Sequence, residues 1–322
     1  MLNENPLPPL ASVAEEIARG AGSINRYPEF YPEHLQSVVA EWLGFPEEWV
    51  VVGSGSVGVA LQALQAHVRP GNGLVYGWRN FDAYPLLADM TGARAVQVPL
   101  LPGGHQDLTG VAKEAAADAD AVIVCNPHNP TGQLLSADEL EEFIGLIPAD
   151  TLIVLDEAYI EFVERSQRPD SLKWVRQYPN LLVLRTFSKA YGLAGMRVGY
   201  GVAHPEMAER INKFRLPYSM SSLSVVAVEA SIREQRELED RVRHIVAERE
   251  RVVRGLTESG WSVLPSHTNF LWLDEPARVD QVGAALDRVG VRARLYPGDG
   301  VRLTIGERAS NDAVLSALSS PR

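Results

Sequence analysis

Short apolar, β-branched runs recur along the first two-thirds of the chain, each ended by a glycine or polar turn. They are "WVVVGSGS", "GLVYG", "ARAVQV", "DAVIVCNP", "TLIVLDEA", "NLLVLRTFS" and "MRVGYGVA". Runs of this length without polar alternation predict strands buried on both faces of a parallel sheet. Stretches of helical spacing lie between several of them: "PEHLQSVVAEWLG" with its glycine stop, "VGVALQALQAHV", "FDAYPLLADMTG" and "SADELEEFIGLI". This alternation predicts an α/β fold, a mainly parallel central sheet with helices on both faces. After about residue 220 the pattern changes to a long, charged helical stretch. It is followed by short strands at "WSVLP", "NFLWLD", "VRARLYP" and "GVRLTIG" and a helix at "ARVDQVGAALDRVG". The expected division is a large domain over 23–225 and a smaller α+β domain formed by 1–22, with its Pro-rich extended arm, and 226–322.

Composition narrows the function classes. The 322 residues are 46% hydrophobic and carry a formal net charge of −11, so a basic nucleic-acid footprint is absent. An acidic surface still permits anionic substrates wherever arginines cluster locally. The one cysteine, Cys125, sits inside an apolar run, which excludes a disulfide framework and a cysteine-based zinc site. The seven histidines show no metal-ligand spacing, so no metal is expected. No apolar run approaches a membrane span, and the first residues lack a basic stretch followed by an apolar one. The expectation is a soluble, cytoplasmic protein with small-molecule substrates.

Four polar motifs fall at the ends of predicted strands, where ligands bind in open α/β sheets. "GSGSVG" at 53–58 fits G-x-G-x-x-G between a strand and a helix. That suits phosphate capture at a helix amino-terminus, and it also fits a nicotinamide-dinucleotide fingerprint or a plain glycine turn capped by serine. "NPHNPTG" at 126–132 reads as a rigid turn, or as a turn that aims the Asn129 amide at a ligand. "DEAY" at 156–159 ends a buried run with carboxylates, which need a partner there; a protonated pyridine nitrogen would serve Asp156, and Tyr159 could reach the same ligand. The fourth motif is "TFSKAYGLAGMR" at 186–197.

The chain has four lysines, Lys113, Lys173, Lys189 and Lys213. Three lie among polar neighbours in helix-like stretches, where stems snorkel and ammonium groups stay wet. Lys189 alone follows a core strand, where desolvation and Arg197 would both lower its pKa and favour a nucleophilic amine. A Schiff-base lysine, an acid for a pyridine nitrogen, donors for a phenolic oxygen and a phosphate cup together match pyridoxal phosphate chemistry.

With these residues in view, the chain resembles the fold-type I, class I/II pyridoxal-phosphate aminotransferases, within the histidinol-phosphate and aromatic (phenylalanine-type) aminotransferase group. The resemblance runs nearly end to end through "NENP", "NRYP", "GSGS", "WRNFDAYP", "NPHNPTG", "LDEAY", "RTFSKAYGLAGMRVGY", "PSHTNFLWL" and "GVRLTIG". It implies that Lys189 bonds the cofactor aldehyde and carries the catalytic proton, that Asp156 pairs with the pyridine nitrogen, and that Asn129 and Tyr159 bind the phenolic oxygen. It implies a ring stack for Phe81 and phosphate contacts for Ser56, Val57, Thr186, Ser188 and Arg197. Tyr27 would reach the phosphate of a second copy, which implies a homodimer. Arg302 would clamp the substrate α-carboxylate, Arg294 would meet a distal anionic group, and Asn5 of "NENP" would also face substrate. From spacing alone, Arg302 reads first as an exposed strand residue, Tyr27 could be simple packing, and Phe81 is as much a core residue as a ring stack.

Three positions depart from the family pattern. Val57 stands where many members carry an acid, and Phe81 stands where the family usually has tyrosine. The chain opens at "LNENP", where members usually have a further segment, so either the start is trimmed or the dimer edge and site mouth are more open. The implied reaction passes an amino group between a donor, glutamate or an aromatic amino acid, and a 2-oxo acid or imidazole-acetol phosphate. Its rivals are decarboxylation of the threonine-phosphate decarboxylase type on the same motifs, and a nicotinamide-dependent oxidoreductase.

Overall fold

A computed structural model describes residues 3–319. The strands are β1 (Val50–Ser54), β2 (Gly73–Trp78), β3 (Arg94–Pro99), β4 (Ala119–Cys125), β5 (Leu152–Asp156), β6 (Leu181–Thr186), β7 (Val198–Ala203), β8 (Phe270–Leu273), β9 (Arg294–Tyr296) and β10 (Gly300–Thr304). The helices are α1 (Ala11–Gly20), α2 (Glu33–Leu43), α3 (Gly55–His67), α4 (Ala83–Thr91), α5 (Leu108–Asp118), α6 (Ala137–Leu146), α7 (Ser171–Trp174), α8 (Pro205–Asn212), α9 (Ser222–Arg233), α10 (Gln235–Glu258), α11 (Val279–Arg288) and α12 (Arg308–Leu318).

The first seven strands form one sheet in the order β1-β7-β6-β5-β4-β2-β3. Five of them, β6, β5, β4, β2 and β3, run parallel, and β7 is antiparallel to both β6 and β1. Apolar side chains alternate between two buried layers, as the uniform runs require. Leu74, Ile123, Val154 and Leu184 face the layer shared with α3, α4 and α8. Val75, Val122, Ile153 and Val183 face the layer shared with α2, α5 and α6. The same two-residue period separates the adjacent acids at the end of β5, so Asp156 and Glu157 leave on opposite faces. Glu157 is fully buried and pairs with Arg185 at 2.9 Å.

β8, β10 and β9 make a second, antiparallel sheet in that order. Arg302 lies opposite Trp272 on one side and Arg294 on the other, so these three side chains share a face. The expected strand at "WSVLP" reduces to a single bridge, Val263 to Leu273, with Leu264 N donating to Trp272 O. Pro265 follows with no N–H to extend the ladder. The long charged stretch breaks into α9 and α10 at Glu234.

The strand before the Gly53–Gly58 motif lies at the sheet edge, antiparallel to its neighbour. A dinucleotide fingerprint belongs to the first strand of a parallel βαβ unit, so the topology here speaks against the nicotinamide reading of that motif.

Candidate active site

The ends of β1, β4, β5 and β6 and the start of β7 converge at one edge of the large sheet. Lys189 follows β6 in the turn that leads to β7. Its ammonium is half-buried and lies 3.3 Å from Asn3 O and 5.5 Å from the centre of the Tyr159 ring. Burial, with further repulsion from Arg302 and Arg197, lowers its pKa from the ordinary 10.5 to about 8. Burial is the main cause, and Arg302, remote in sequence, acts ahead of Arg197. The other lysines are exposed; Lys173 pairs with Asp170, and Lys213 pairs with Glu209.

Asp156 closes β5 and is buried. Its Oδ2 accepts from the Tyr84 hydroxyl at 2.8 Å and its Oδ1 accepts from Ala158 N at 3.1 Å. Burial pushes the carboxyl pKa up; the Tyr84 and Ala158 donors and the Lys189 charge oppose it. Asn129, 3% exposed, accepts at Oδ1 from Arg302 Nη1 at 2.5 Å. Its Nδ2 is therefore the end that can donate to a ring oxygen. The Tyr159 hydroxyl accepts from Asn3 Nδ2 at 3.1 Å, and its ring meets Phe270 edge-on. Phe81, half-buried, sits at the entrance to α4 with its ring edge-on to Tyr84.

A second group of polar atoms surrounds the amino-terminus of α3, where Ser56 and Val57 lie in the first turn. Thr186 donates to Ser188 Oγ at 3.0 Å, and Arg197 Nη1 donates to the same oxygen at 3.4 Å. Arg197 holds a left-handed backbone, φ 54°, a conformation that costs energy outside glycine and asparagine. Gly55, at φ +75°, could carry no Cβ here: the added atom would stand 2.4 Å from Arg197 Nη2. At Gly199 it would stand 2.1 Å from Ser56 N. Two glycines thus let the β1–α3 turn, the start of β7 and the guanidinium approach one another closely.

Among the sequence-selected residues, Asn5 is placed differently. Its Nδ2 donates to the main-chain carbonyls of Lys189 and Ala190, both at 3.0 Å, and its Oδ1 accepts from Leu7 N. It therefore braces the lysine turn. Asn3 takes the inward place: it is buried, its Oδ1 accepts from Thr304, and its carbonyl accepts from Lys189 and Asn269. Arg302 is buried, whereas Arg294 is half-exposed and pairs with Asp82 at 3.0 Å. A second pair, Arg79 with Asp299 at 2.6 Å, joins the same two segments of chain. Tyr27 is 87% exposed and packs on Tyr218.

Sequence reasoning did not single out Asn3, Tyr84 or Asp299. The first two lay inside motifs already quoted, "NENP" and "WRNFDAYP", where their polarity next to apolar neighbours was the available signal. A cavity of about 910 Å³ lies elsewhere, against α10, with Glu161, Arg168 and Arg249 in its walls. Lys189, Asp156 and Asn129 do not line it, so chemistry rather than volume locates this site.

The sheet order and the strand ends that converge on Lys189, Asp156 and Arg197 describe an α/β fold with a polar site at the carboxyl ends of its strands. The chain belongs to the aminotransferase class I and II family, whose model matches residues 2–318, and it is an aminotransferase. It is 46% identical over 313 residues to an aromatic amino acid aminotransferase of Streptomyces avermitilis, covering 97% of this chain and 87% of that one. It is 44% identical to an aromatic amino acid aminotransferase of Streptomyces coelicolor over the same shares. Among solved structures it is similar to histidinol-phosphate aminotransferase from Sinorhizobium meliloti in complex with pyridoxal-5′-phosphate. That likeness has a TM-score of 0.91 at 30% identity, covering 98% of this chain and 88% of that one.

Proposed function

We propose that this chain is a pyridoxal-phosphate-dependent aminotransferase for aromatic amino acids, working as a homodimer. The observation that carries the reading is one buried-edge lysine with a depressed pKa, set among Asp156, Asn129, Tyr159 and Arg302. The residues fit the cofactor. Ser188 and Arg197, brought against the amino-terminus of α3 by the close approach at Gly55 and Gly199, suit a phosphate there. Asp156, buried with a donor on each oxygen, suits a protonated ring nitrogen.

When bound there, pyridoxal phosphate supplies an aldehyde for amine exchange and a sink for the electrons of a broken α-carbon bond. The chain's own residues do the rest. Lys189 would hold the aldehyde and, as a free amine, would move the proton at the substrate α-carbon. Asn129 and Tyr159 orient the ring through its oxygen, and Phe81 covers a ring face. Arg302 binds the α-carboxylate as a two-pronged donor. Ser56, Val57, Thr186, Ser188 and Arg197 hold the phosphate.

Two observations favour an aromatic substrate. The similar proteins from Streptomyces carry that activity in their names. Arg79 and Arg294, beside Phe81 and Arg302, each already face a carboxylate, so a distal phosphate would be repelled by Asp82 and Asp299 as well as drawn to the arginines, whereas an uncharged ring would not be repelled. Arg294, half-exposed, remains the group able to turn to an acidic co-substrate, since an exposed ion pair opens at a cost of about 0–1 kcal/mol. Exposed Tyr27, Phe30 and Tyr218, whose rings touch, support the dimer, because such a contiguous patch calls for a cover.

The test is a set of half-reactions with the loaded enzyme, each amino donor mixed alone and the cofactor absorbance followed. Phenylalanine and tyrosine are expected to bleach the band at catalytic rates, with histidinol phosphate at least about tenfold slower. Faster bleaching by histidinol phosphate contradicts the aromatic reading, and release of carbon dioxide without a keto acid contradicts transamination.

A further inference from the structure

We propose that Tyr84 is a positioning residue for the cofactor's ring nitrogen: its hydroxyl, donating to Asp156, keeps that carboxylate ionised and fixed in rotation so that it can pair with a protonated pyridine. The inference rests on the cofactor assignment above and adds a residue 72 positions away from Asp156 in sequence.

Tyr84 lies in the first turn of α4, is 2% exposed, and donates from its hydroxyl to Asp156 Oδ2 at 2.8 Å. The other carboxylate oxygen accepts from Ala158 N. With a donor on each oxygen the carboxylate plane has no freedom to turn. The tyrosine is itself immobilised, its ring edge-on to Tyr76 and to Phe81, each at 5.7 Å.

The direction of the hydrogen bond follows from charge. Burial and the neighbouring Asp156 and Cys125 raise the Tyr84 phenol well above its ordinary pKa, so it stays a donor at every working pH. Burial works against Asp156 by favouring its neutral form, and Tyr84 is the largest of the influences opposing this. Glu157 pushes the same way as burial, while Lys189 and Ala158 act with Tyr84. A protonated aspartate could not form an ion pair with pyridinium, so the hydroxyl bears directly on the protonation of the ring.

Packing alone does not require that hydroxyl. Tyr84 sits in an apolar layer with Leu87, Ala88 and Ile123, where phenylalanine would fill the same volume. Phe81, three residues earlier, lies on the same side of the turn. One turn of chain would then set both the ring's face contact and the acid at its nitrogen.

The experiment measures equilibrium binding to the apoprotein of pyridoxal phosphate and of its analogue with C–H in place of the ring nitrogen. Tyr84→Phe is expected to weaken pyridoxal phosphate about tenfold, the loss of one hydrogen bond to a charged group, and to change analogue binding by less than about twofold. In Asp156→Asn protein the same substitution is expected to alter neither affinity by more than about twofold, because the coupled partner is gone. Equal weakening of both compounds, or the same effect in the presence and absence of Asp156, would reduce Tyr84 to a packing residue and overturn the proposal. Unchanged binding of both would overturn it too. Failure of the wild type to bind pyridoxal phosphate would instead remove the cofactor assignment on which the inference stands.

Discussion

Lys189 differs from the other three lysines in its surroundings rather than its chemistry. The turn after β6 removes water from its amine, and Arg302 and Arg197 add repulsion, so the folded pKa falls to about 8. The free amine is the nucleophile. The rate at which apoprotein takes up pyridoxal phosphate should therefore climb with pH up to about 8 and level off above it. The same shift has a stability consequence. The folded value lies below the ordinary 10.5, so the unfolded chain binds this proton more tightly, and folding gains as pH rises from about 8 to 10.5. Urea melts of apo wild type and Lys189→Met should show the variant's stability advantage largest below pH 8 and shrinking towards pH 10. A constant difference would contradict the desolvated lysine. Lys189, Asp156 and Asn129 were legible in sequence because each ends or follows an apolar run, and the site lies where those runs end. Tyr84 and Asn3 were not, since their partners lie 72 and 156 positions away and only the folded chain brings them together. The contact of the Asn5 amide with two main-chain carbonyls is likewise made only in the folded chain.

The elements carry the site through close backbone approach. Gly55 combines a left-handed backbone with a position 2.4 Å, Cβ to Nη2, from Arg197. Gly55→Ala should cost roughly 1–3 kcal/mol from the strained backbone and displace the guanidinium, weakening pyridoxal phosphate about tenfold through its lost charged hydrogen bond. Titration of apoprotein measures the second effect and thermal melting the first; loss of stability with undiminished affinity would contradict the assigned phosphate space. On the opposite face of β5, buried Glu157 holds Arg185. Arg185→Met leaves that carboxylate buried without its cation and should destabilise the fold by about 3–5 kcal/mol, read as a lower urea midpoint. The strand runs were legible because burial on both faces demands uniform apolar residues. The antiparallel sense of β7 was not, since a buried strand carries the same pattern in either direction. The strand expected at "WSVLP" failed where Pro265 withdrew an N–H.

At the scale of the molecule, Arg302 of the small antiparallel sheet reaches Asn129 at the edge of the large one, and two ion pairs, Arg79–Asp299 and Arg294–Asp82, flank that junction. A second copy covering Tyr27, Phe30 and Tyr218 would give a particle of twice 35.3 kDa in sedimentation velocity, and a monomer at micromolar concentration would contradict the proposed pairing. The central claim is that Lys189, and no other lysine, holds pyridoxal phosphate covalently. The direct measurement is borohydride reduction of the loaded protein followed by peptide mass mapping. The account predicts one modified peptide, carrying the cofactor on Lys189; label on Lys113, Lys173 or Lys213 in its place, or tight cofactor binding with no lysine modified, would contradict it.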